Sequence, residues 1–212
     1  AQILFGGIME GAPDPEMAVR HLQETLGPIA HMRQVHGDRV AYADDGGLFE
    51  EYDALITDRA GVWLCVKTAD CVPVLLSSPH AVAAVHCGWR GLAQGILPLT
   101  VDVMCQEFGA DPTDIQAHIG PHISTPNYPV GEELVETFPA DYFRKTEDGK
   151  WLMDLADLTQ DYLLEMELLR ENIWHYGQCT YDEANLNSHR KSKHTGKTED
   201  VARNLSLICL ER

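Results

Sequence analysis

Three apolar segments between residues 53 and 86 constrain the fold more than any other part of the chain. They read DALIT, VWLCVKTADCVPVLL and AVAAVH, and they are rich in β-branched residues. Pro and polar residues divide them into short runs, which are typical of strands rather than helices. Apolar character without alternation indicates strands that are covered on both faces. We therefore expect these segments to lie at the centre of a buried sheet.

Helix signals lie on both sides of this region. The stretch DPEMAVRHLQETLG predicts a helix, because Asp14 can cap it, Pro15 suits its first turn and Gly27 can end it. The stretch GLAQGILPLTVDVMCQEFG also has helical periodicity, although Pro98 should kink that helix or mark a restart. Residues 151–170 show the clearest pattern, with apolar side chains recurring at spacings of three and four.

The remaining patterns complete a mixed fold. Residues 31–43 alternate around a Gly-Asp turn and predict a β-hairpin. Strands mixed with helices, without regular βαβ alternation, indicate an α+β fold with mixed β-sheets and helices packed on the outside. No Pro-, Gly- or Ser-rich linker divides the chain, so we expect a single domain over residues 1–212.

The charge of the chain excludes several classes of partner. The formal net charge is −17, and an acidic surface repels both nucleic-acid phosphates and anionic lipids. No apolar run approaches the ~18–20 residues that span a bilayer, and we see no signal-peptide pattern. The six cysteines form neither a CxxC pair nor a disulfide framework. We therefore expect reduced thiols in a cytoplasmic protein that binds no nucleic acid and no membrane.

One basic segment interrupts this acidic chain. Residues 189–197 read HRKSKHTGK. The segment is either a solvated loop or a loop that binds an anion such as phosphate, because local positive charge attracts anions despite the sign of the whole protein. The pattern alone leaves both interpretations open.

Three candidate metal ligands lie at predicted strand ends, where a side chain can face a cleft. His36 precedes a turn, Cys71 follows one apolar run, and His86 ends another. Two imidazoles and a thiolate suit zinc, and three protein ligands leave a fourth position open, as in catalytic zinc sites. The spacing also allows a buried, inert cysteine and two structural histidines, since the chain has no HExxH or CxxC motif.

The same atoms allow a second chemistry, in which Cys71 is a nucleophile and His86 is its base. Asp70 could orient the histidine or act as a separate acid–base group. Trp89 and Arg90 follow the histidine and could stack on a ligand and pair with it, although Trp89 suits the core equally well.

Three further residues are not expected to belong to the site. Cys87 adjoins His86 on a predicted strand and should therefore face the opposite side. His118 and His122 are four residues apart, but Gly120 and Pro121 between them rule out a helical ligand pair.

Six segments of the chain share motifs with a known family. Five of them, RQVHGD, DALIT, TADCVPVLL, AVHCGWRGLAQGI and IGPHISTPNYPVGEE, cover residues 33–133 almost continuously. The sixth, NSHRKSKHTGK, matches the family's C-terminal S-[YH]-R and T-G-[RK] motifs more loosely. Together they resemble the YfiH-like family, which is also called the laccase-domain-containing or purine nucleoside phosphorylase family. The combination is highly specific because the resemblance does not depend on any single motif.

The resemblance implies a YfiH-like fold in which His36, Cys71 and His86 bind zinc. It implies phosphorolysis of adenosine, inosine and methylthioadenosine, together with deamination of adenosine. Purine nucleosides and phosphate are then the expected small-molecule partners. The catalytic residues would be the three ligands and Asp70, which falls within the TADC motif.

The same resemblance suggests where the substrate would bind. Arg90, Ser188 and Arg190 are the expected substrate-binding residues. Arg190 and the neighbouring lysines are the best cationic candidates for phosphate, with Arg90 as another. Any deamination must use an unusual set of residues, because the H-x-E…P-C-x-x-C signature of the zinc deaminases is absent.

A hydrolytic alternative follows from two further likenesses of the family. The resemblance implies a distant relation to cysteine hydrolases of the cytotoxic necrotizing factor type, which place a Cys and a His in a similar arrangement. Some bacterial members look like amidases that edit peptidoglycan precursors. Cys–His hydrolysis of amide bonds is therefore the alternative function.

The family's older label of polyphenol oxidase does not suit the histidines of this chain. A multicopper oxidase holds several coppers, largely through His-x-His pairs, whereas this chain has ten His and no His-x-His. We therefore exclude multicopper chemistry. A single copper could still occupy the three-ligand site in vitro, since the usual affinity order favours copper over zinc.

The chain departs from the family pattern in three places. Its N-terminal part lacks the R-x-G-G-V-S and S-L-N-L segments. Lys67 stands where a small or apolar residue usually precedes T-A-D-C, and Leu186, Asn187 and Lys191 replace the usual residues of the C-terminal motif. If these segments shape the substrate pocket elsewhere, substrate specificity differs in this chain.

Overall fold

Two large mixed sheets form the centre of the protein. The computed structural model describes residues 1–7, 14–196 and 202–211. In spatial order the first sheet contains β1 (Gln2–Gly6), β14 (Asn204–Cys209), β6 (Trp63–Thr68), β2 (Ile29–Arg33) and β4 (Gly47–Glu50). Strand β2 runs parallel to both of its neighbours, whereas the other pairs are antiparallel.

The second large sheet has six strands. In spatial order they are β13 (Ile173–His175), β9 (Gln116–Ile119), β7 (Val72–Ser77), β8 (Val82–Cys87), β5 (Ala54–Thr57) and β3 (Val40–Tyr42). The pairs at both edges are parallel and the central pairs are antiparallel. A small third sheet contains β10 (Pro129–Val130), β12 (Trp151–Met153) and β11 (Phe143–Lys145).

Helices cover the outer faces of both large sheets. The helices of the described residues are α1 (Pro15–Leu26), α2 (Trp89–Ala93), α3 (Ile96–Phe108), α4 (Glu132–Thr137), α5 (Leu155–Glu165) and α6 (His189–His194). Helix α1 packs on the five-stranded sheet, while α2, α3 and α5 pack on the six-stranded sheet. The predicted α+β fold with mixed sheets and outer helices is confirmed.

The core has three layers because the central strands bury both faces, as their unbroken apolar sequences predict. Side chains such as Met32, Leu64 and Leu75 fill the space between the two sheets. On strand β8, Val85 and Cys87 point to the helices, whereas Ala84 points to the other sheet. Strand alternation therefore places His86 on the inter-sheet side. The expectation that Cys87 faces away from His86 is confirmed.

Local signals determine where the helices begin and end. The Asp14 side chain accepts a hydrogen bond from Glu16 N, and Gly27 ends α1 with a φ of 92°. Helix α3 starts after Gly95, so that Pro98 lies in its first turn, where a missing N–H costs nothing. The predicted restart at this proline is confirmed.

Two local predictions were wrong. Residues 31–43 form no hairpin, because β2 pairs in the five-stranded sheet and β3 pairs with β5 in the other. The helix predicted over 151–170 is shorter, since its start forms strand β12 and Asp154 caps the helix by accepting from Asp157 N. No helix in the described part of the chain is long and apolar enough to cross a membrane.

Candidate metal and catalytic centre

Two connections between the large sheets carry two of the predicted ligands. The connection from β2 to β3 carries His36, and the connection from β6 to β7 carries Cys71. Both leave the five-stranded sheet and enter the six-stranded sheet. His86 lies at the end of β8, where Pro73 of β7 is its register partner. The topology therefore brings all three predicted ligands to the same edge of the sandwich.

The three side chains form a compact cluster. Cys71 Sγ lies 3.9 Å from His36 Nε2, and the ligand atoms of His36, Cys71 and His86 all lie within 4.8 Å of one another. Ligand atoms around a tetrahedral zinc lie roughly 3.5 Å apart. Small side-chain rotations would therefore bring these three atoms to the separations that zinc binding requires. Within the described residues this is the one group of three or more His, Cys, Asp or Glu side chains that could hold a metal ion.

Two residues of the centre have unusual backbone geometry. His36 has a φ of 62° and Asp70 has a φ of 98°. Left-handed conformations are unfavourable for residues with a side chain, and they persist only where surrounding contacts hold them. His36 N donates to the buried carboxylate of Asp53. The Asp70 carboxylate accepts from Thr180 Oγ1 and Arg190 N.

Asp53 is a central residue that the sequence analysis did not single out. It is fully buried, and its Oδ1 accepts a hydrogen bond of 2.7 Å from His86 Nδ1. The same carboxylate accepts hydrogen bonds from the backbone N–H groups of Val35, His36 and Gly37 at 3.1, 3.0 and 2.8 Å. One side chain thereby contacts both histidine-bearing segments.

The charges at the centre favour a thiolate. Burial alone raises the pKa of a thiol, but the charge on His86 and hydrogen bonds from His36 and His86 lower the pKa of Cys71 to about 6. Burial likewise disfavours a charged His86, but the Cys71 thiolate and the hydrogen bond to Asp53 raise the pKa of this histidine to about 9. Without a metal, Cys71 and His86 thus form a thiolate–imidazolium pair at neutral pH.

The space beside the three ligand atoms fits a metal ion. A Cβ atom at Gly88 would lie 3.0 Å from His36 Cδ2, 3.3 Å from Cys71 Sγ and 3.7 Å from His86 Nε2. Only glycine leaves this space open. An N₂S donor set around it suits zinc, and it also suits copper.

Asp70 connects the centre to the C-terminal part of the chain. Its Oδ1 accepts 2.7 Å from Thr180 Oγ1, and its Oδ2 accepts 2.7 Å from the backbone N–H of Arg190. Arg190 is in the first turn of α6, so the carboxylate holds the start of that helix. These contacts give Asp70 a positioning role, and its catalytic role stays a prediction.

A cleft of about 1070 Å³ opens above the three ligand side chains. Its walls carry several basic side chains in an otherwise acidic protein. These are Arg33, Lys67, Arg90, His189, Arg190 and Arg203. Lys67, the departure from the family pattern, is paired with Glu16 and lies 3.5 Å from His31 Nδ1. Lys67 is thus ion-paired, whereas Arg90 belongs to α2 and Arg190 to α6.

The basic segment forms a short helix instead of a loop. Residues 189–194 are α6, while residue 197 lies outside the described residues. The Arg190 Nη1 atom donates to Pro129 O at 3.1 Å, and its Cζ lies 5.7 Å from the centre of the Tyr128 ring. This fixes the guanidinium beside the cleft, which supports the anion-binding interpretation.

The other predicted substrate-binding residues have different environments. Arg90 is exposed and stacks on the Trp89 ring, with Cζ 4.4 Å from the ring centre, and both side chains line the cleft. Ser188 is buried and caps α6 by accepting from Lys191 N at 3.1 Å. In the described structure Ser188 is absent from the cleft wall. Tyr128 lines the cleft and was missed, because a lone tyrosine in a loop carries no sequence signal.

The histidines that we set aside do not join the centre. His118 stacks on Trp174 at 4.8 Å, and His122 Nδ1 donates to Gly120 O at 2.8 Å. Neither belongs to the cluster of ligand side chains.

This fold and centre define a mixed α/β protein with a His-Cys-His site at the join of two sheets. The chain matches the family model described as multi-copper polyphenol oxidoreductase laccase over residues 15–211. It belongs to that family, and the predicted YfiH-like membership is confirmed by solved structures of the same type.

Curated relatives and solved structures agree on this membership. The chain is 35% identical over 153 residues to a purine nucleoside phosphorylase of Clostridium acetobutylicum, covering 70% of this chain and 61% of the relative. It is 41% identical over 138 residues to a purine nucleoside phosphorylase of Bacteroides thetaiotaomicron, covering 61% and 51%. In both comparisons the match spans less than two thirds of the relative's length.

The solved structures cover more of the chain. YlmD from Geobacillus stearothermophilus is 27% identical with a TM-score of 0.85, covering 99% of this chain and 91% of that one. YfiH from Bacillus licheniformis is 26% identical with a TM-score of 0.82, covering 93% and 79%. These similarities support the architecture of the two sheets and the crossings that carry the centre.

Proposed function

We propose that this protein is a metal-dependent purine nucleoside phosphorylase of the cytoplasm. The observation that carries the proposal is the convergence of His36, Cys71 and His86 below a basic cleft, in a chain whose relatives are named purine nucleoside phosphorylases. In this reaction the C1′–N9 bond of the nucleoside breaks and a phosphate oxygen bonds to C1′. The bonding electrons leave with the purine, which takes up a proton, and the other product is ribose 1-phosphate.

We propose zinc as the metal, held by His36 Nε2, Cys71 Sγ and His86 Nε2. When bound, zinc would supply a Lewis acid that polarises a substrate atom. Copper could bind the same donors in vitro. The remaining contributions come from the protein's own side chains.

The phosphate would bind between α2 and α6. Arg190 is fixed by Pro129 O and lies beside Tyr128, and Arg90 is fixed by its stacking on Trp89. Two guanidinium groups hold a phosphate with directional, charge-assisted hydrogen bonds. Bringing phosphate next to C1′ raises its effective concentration as the ribosyl carbon gains positive charge.

The purine would pack against the aromatic part of the cleft. Trp89 and Tyr128 both line it, and flat π-surfaces recognise purine rings by stacking. Burial and the nearby Cys71 charge raise the pKa of Tyr128, so its hydroxyl stays protonated and can donate to a substrate. We extend the proposed substrates to adenosine, inosine and methylthioadenosine, with deamination of adenosine at the same site.

Product analysis tests this proposal. Purified protein is loaded with zinc and incubated with each nucleoside, with and without phosphate, and the bases and sugar products are separated by chromatography. Free base with an equal amount of the sugar 1-phosphate (ribose 1-phosphate, or 5-methylthioribose 1-phosphate from methylthioadenosine), formed only when phosphate is present, supports phosphorolysis. Inosine formed from adenosine without phosphate supports deamination. Cys71→Ala should lose both zinc and turnover, and normal turnover after complete metal removal would contradict a metal-dependent mechanism.

One observation favours a second function, the Cys–His hydrolysis of amide bonds. Cys71 has a pKa lowered to about 6, His86 has one raised to about 9, and Asp53 holds His86 at 2.7 Å. Cysteine hydrolases have the same arrangement of a thiolate, a histidine beside it, and a carboxylate or amide that orients the histidine. An acyl-enzyme trapped on Cys71 by an amide substrate, with turnover that survives metal removal, would favour hydrolysis over phosphorolysis.

A further inference from the structure

We propose that Asp53 is the positioning residue for both histidines of the centre. The inference rests on the metal site of the proposed function, but it concerns protein side chains and can be measured without turnover. Asp53 directly precedes β5 and is fully buried beneath the cluster. Its carboxylate contacts the segments of His36 and His86 together.

Asp53 fixes the direction of the His86 ring. The 2.7 Å hydrogen bond keeps a proton on Nδ1, and this nitrogen points to Asp53 Oδ1. The opposite nitrogen, Nε2, lies on the side of Gly88 and Cys71. A carboxylate that accepts from the far nitrogen of a ligating imidazole orients the ring and raises its basicity.

Asp53 also holds the turn that presents His36. Three consecutive backbone N–H groups, of Val35, His36 and Gly37, converge on its two oxygens at 3.1, 3.0 and 2.8 Å. Successive N–H groups converge on one anion when a residue between them is left-handed, and His36 has a φ of 62°. The carboxylate therefore compensates a conformation that a histidine would otherwise avoid.

The four hydrogen bonds use the full acceptor capacity of the carboxylate. Oδ1 accepts from His36 N and His86 Nδ1, while Oδ2 accepts from Val35 N and Gly37 N. An asparagine has one acceptor oxygen, so its NH₂ group would face two donors whichever way it turned. The relative position of the two imidazoles thus depends on a negative charge at position 53.

The hydrogen bond from His86 to Asp53 is measured first, by NMR on the metal-free wild-type protein, in which both ring nitrogens of His86 carry protons. The Nδ1 proton should give a downfield signal that exchanges slowly with water, because Asp53 holds it. Amide hydrogen exchange at residues 35–37 should be slow, and it should stay slow in His86→Ala, because Asp53 holds this turn without the imidazole. A His86 Nδ1 proton that exchanges freely with water, or fast exchange at these amides in the wild type, would overturn the proposal.

Metal affinity is measured second, with cobalt(II) as the spectroscopic probe. Asp53→Asn should weaken cobalt binding about 10- to 100-fold, the usual effect of removing the partner of a ligating histidine. Thr57→Val is the matched control: Thr57 is also buried on β5 and its Oγ1 donates to Ala43 O, but it does not contact the centre. Equal cobalt affinities in the wild type and Asp53→Asn would contradict the proposal.

The two measurements separate this inference from the proposed function. If the wild type binds no cobalt, the metal part of the proposed function fails, while the wild-type NMR data still decide the role of Asp53. If Asp53→Asn does not fold, the wild-type NMR data still decide the role of Asp53. If Asp53→Asn loses affinity but wild-type protein forms no nucleoside products, the positioning role stands and the phosphorylase proposal falls.

Discussion

Cys71 Sγ and His36 Nε2 lie 3.9 Å apart, although 35 residues separate them along the chain. Each belongs to a connection that leaves the five-stranded sheet and enters the six-stranded sheet. The centre therefore depends on how the two sheets join, and its side chains are held from both sides. A rigid sandwich below and short connections above provide the preorganisation that a metal or catalytic site requires.

Gly88→Ala should weaken metal binding while the fold is kept. The added Cβ would lie 3.3 Å from Cys71 Sγ and 3.0 Å from His36 Cδ2. Overpacking costs about 1–3 kcal/mol, which corresponds to a roughly 5- to 150-fold loss of affinity. Cobalt titration measures the loss. Gly6→Ala is the control, because its nearest contact would be an ordinary 3.7 Å, and equal cobalt affinities for the two variants would refute the role of this space.

The metal-free protein should have one unusually reactive cysteine. Since the pKa of Cys71 is lowered to about 6, its thiolate fraction rises as pH passes through 6 and is nearly complete by neutral pH. Alkylation by iodoacetamide, followed by mass spectrometry from pH 5 to 9, should show a midpoint near 6. His86→Gln removes the neighbouring charge and should move this midpoint upward. A wild-type midpoint near that of a free thiol would show that the ion pair does not form.

Arg190→Gln should raise the KM for phosphate and leave the KM for nucleoside nearly unchanged. Arg190 is held at the cleft by Pro129 O, and a hydrogen bond to a charged group contributes about 1.5–3 kcal/mol. We therefore expect a roughly 10- to 150-fold increase. Lys193→Gln is the matched control on the same helix, since Lys193 is exposed and does not line the cleft. Equal effects of the two substitutions would locate the phosphate elsewhere.

Asp70→Asn separates a positioning role from a catalytic one. The substitution weakens the contacts to Thr180 Oγ1 and Arg190 N, so the free energy of unfolding should fall by about 1–3 kcal/mol and the KM for phosphate should rise with it. Thr180→Val removes one contact alone and should show a smaller effect in the same direction. Unchanged stability and phosphate KM, combined with loss of kcat, would identify Asp70 as the proton carrier.

Much of this architecture follows from local sequence patterns. The unbroken apolar runs predict doubly buried strands, and the Asp-Pro and Gly signals predict the bounds of α1, because these effects act within a few residues. The motifs also point to His36, Cys71 and His86, which the structure brings together as a possible metal-binding group. Their convergence is a consequence of topology, which no local pattern determines.

The failed hairpin prediction concerns long-range partners, as does the missed role of Asp53. The alternation in residues 31–43 predicts two strands correctly, but it cannot reveal that they join different sheets. Asp53 stands before an apolar run with nothing to mark it, since its donors lie 16–18 and 33 residues away. Helix α6 looked like a solvated or anion-binding loop, because its caps come from Ser188 and from the distant Asp70.

Product analysis of zinc-loaded protein on adenosine and inosine, with and without phosphate, tests the proposed phosphorylase activity. We expect free purine and ribose 1-phosphate in equal amounts, formed only in the presence of phosphate and absent in Cys71→Ala. Loaded, folded wild-type protein that releases no purine from either nucleoside in the presence of phosphate would show that the protein is not a purine nucleoside phosphorylase.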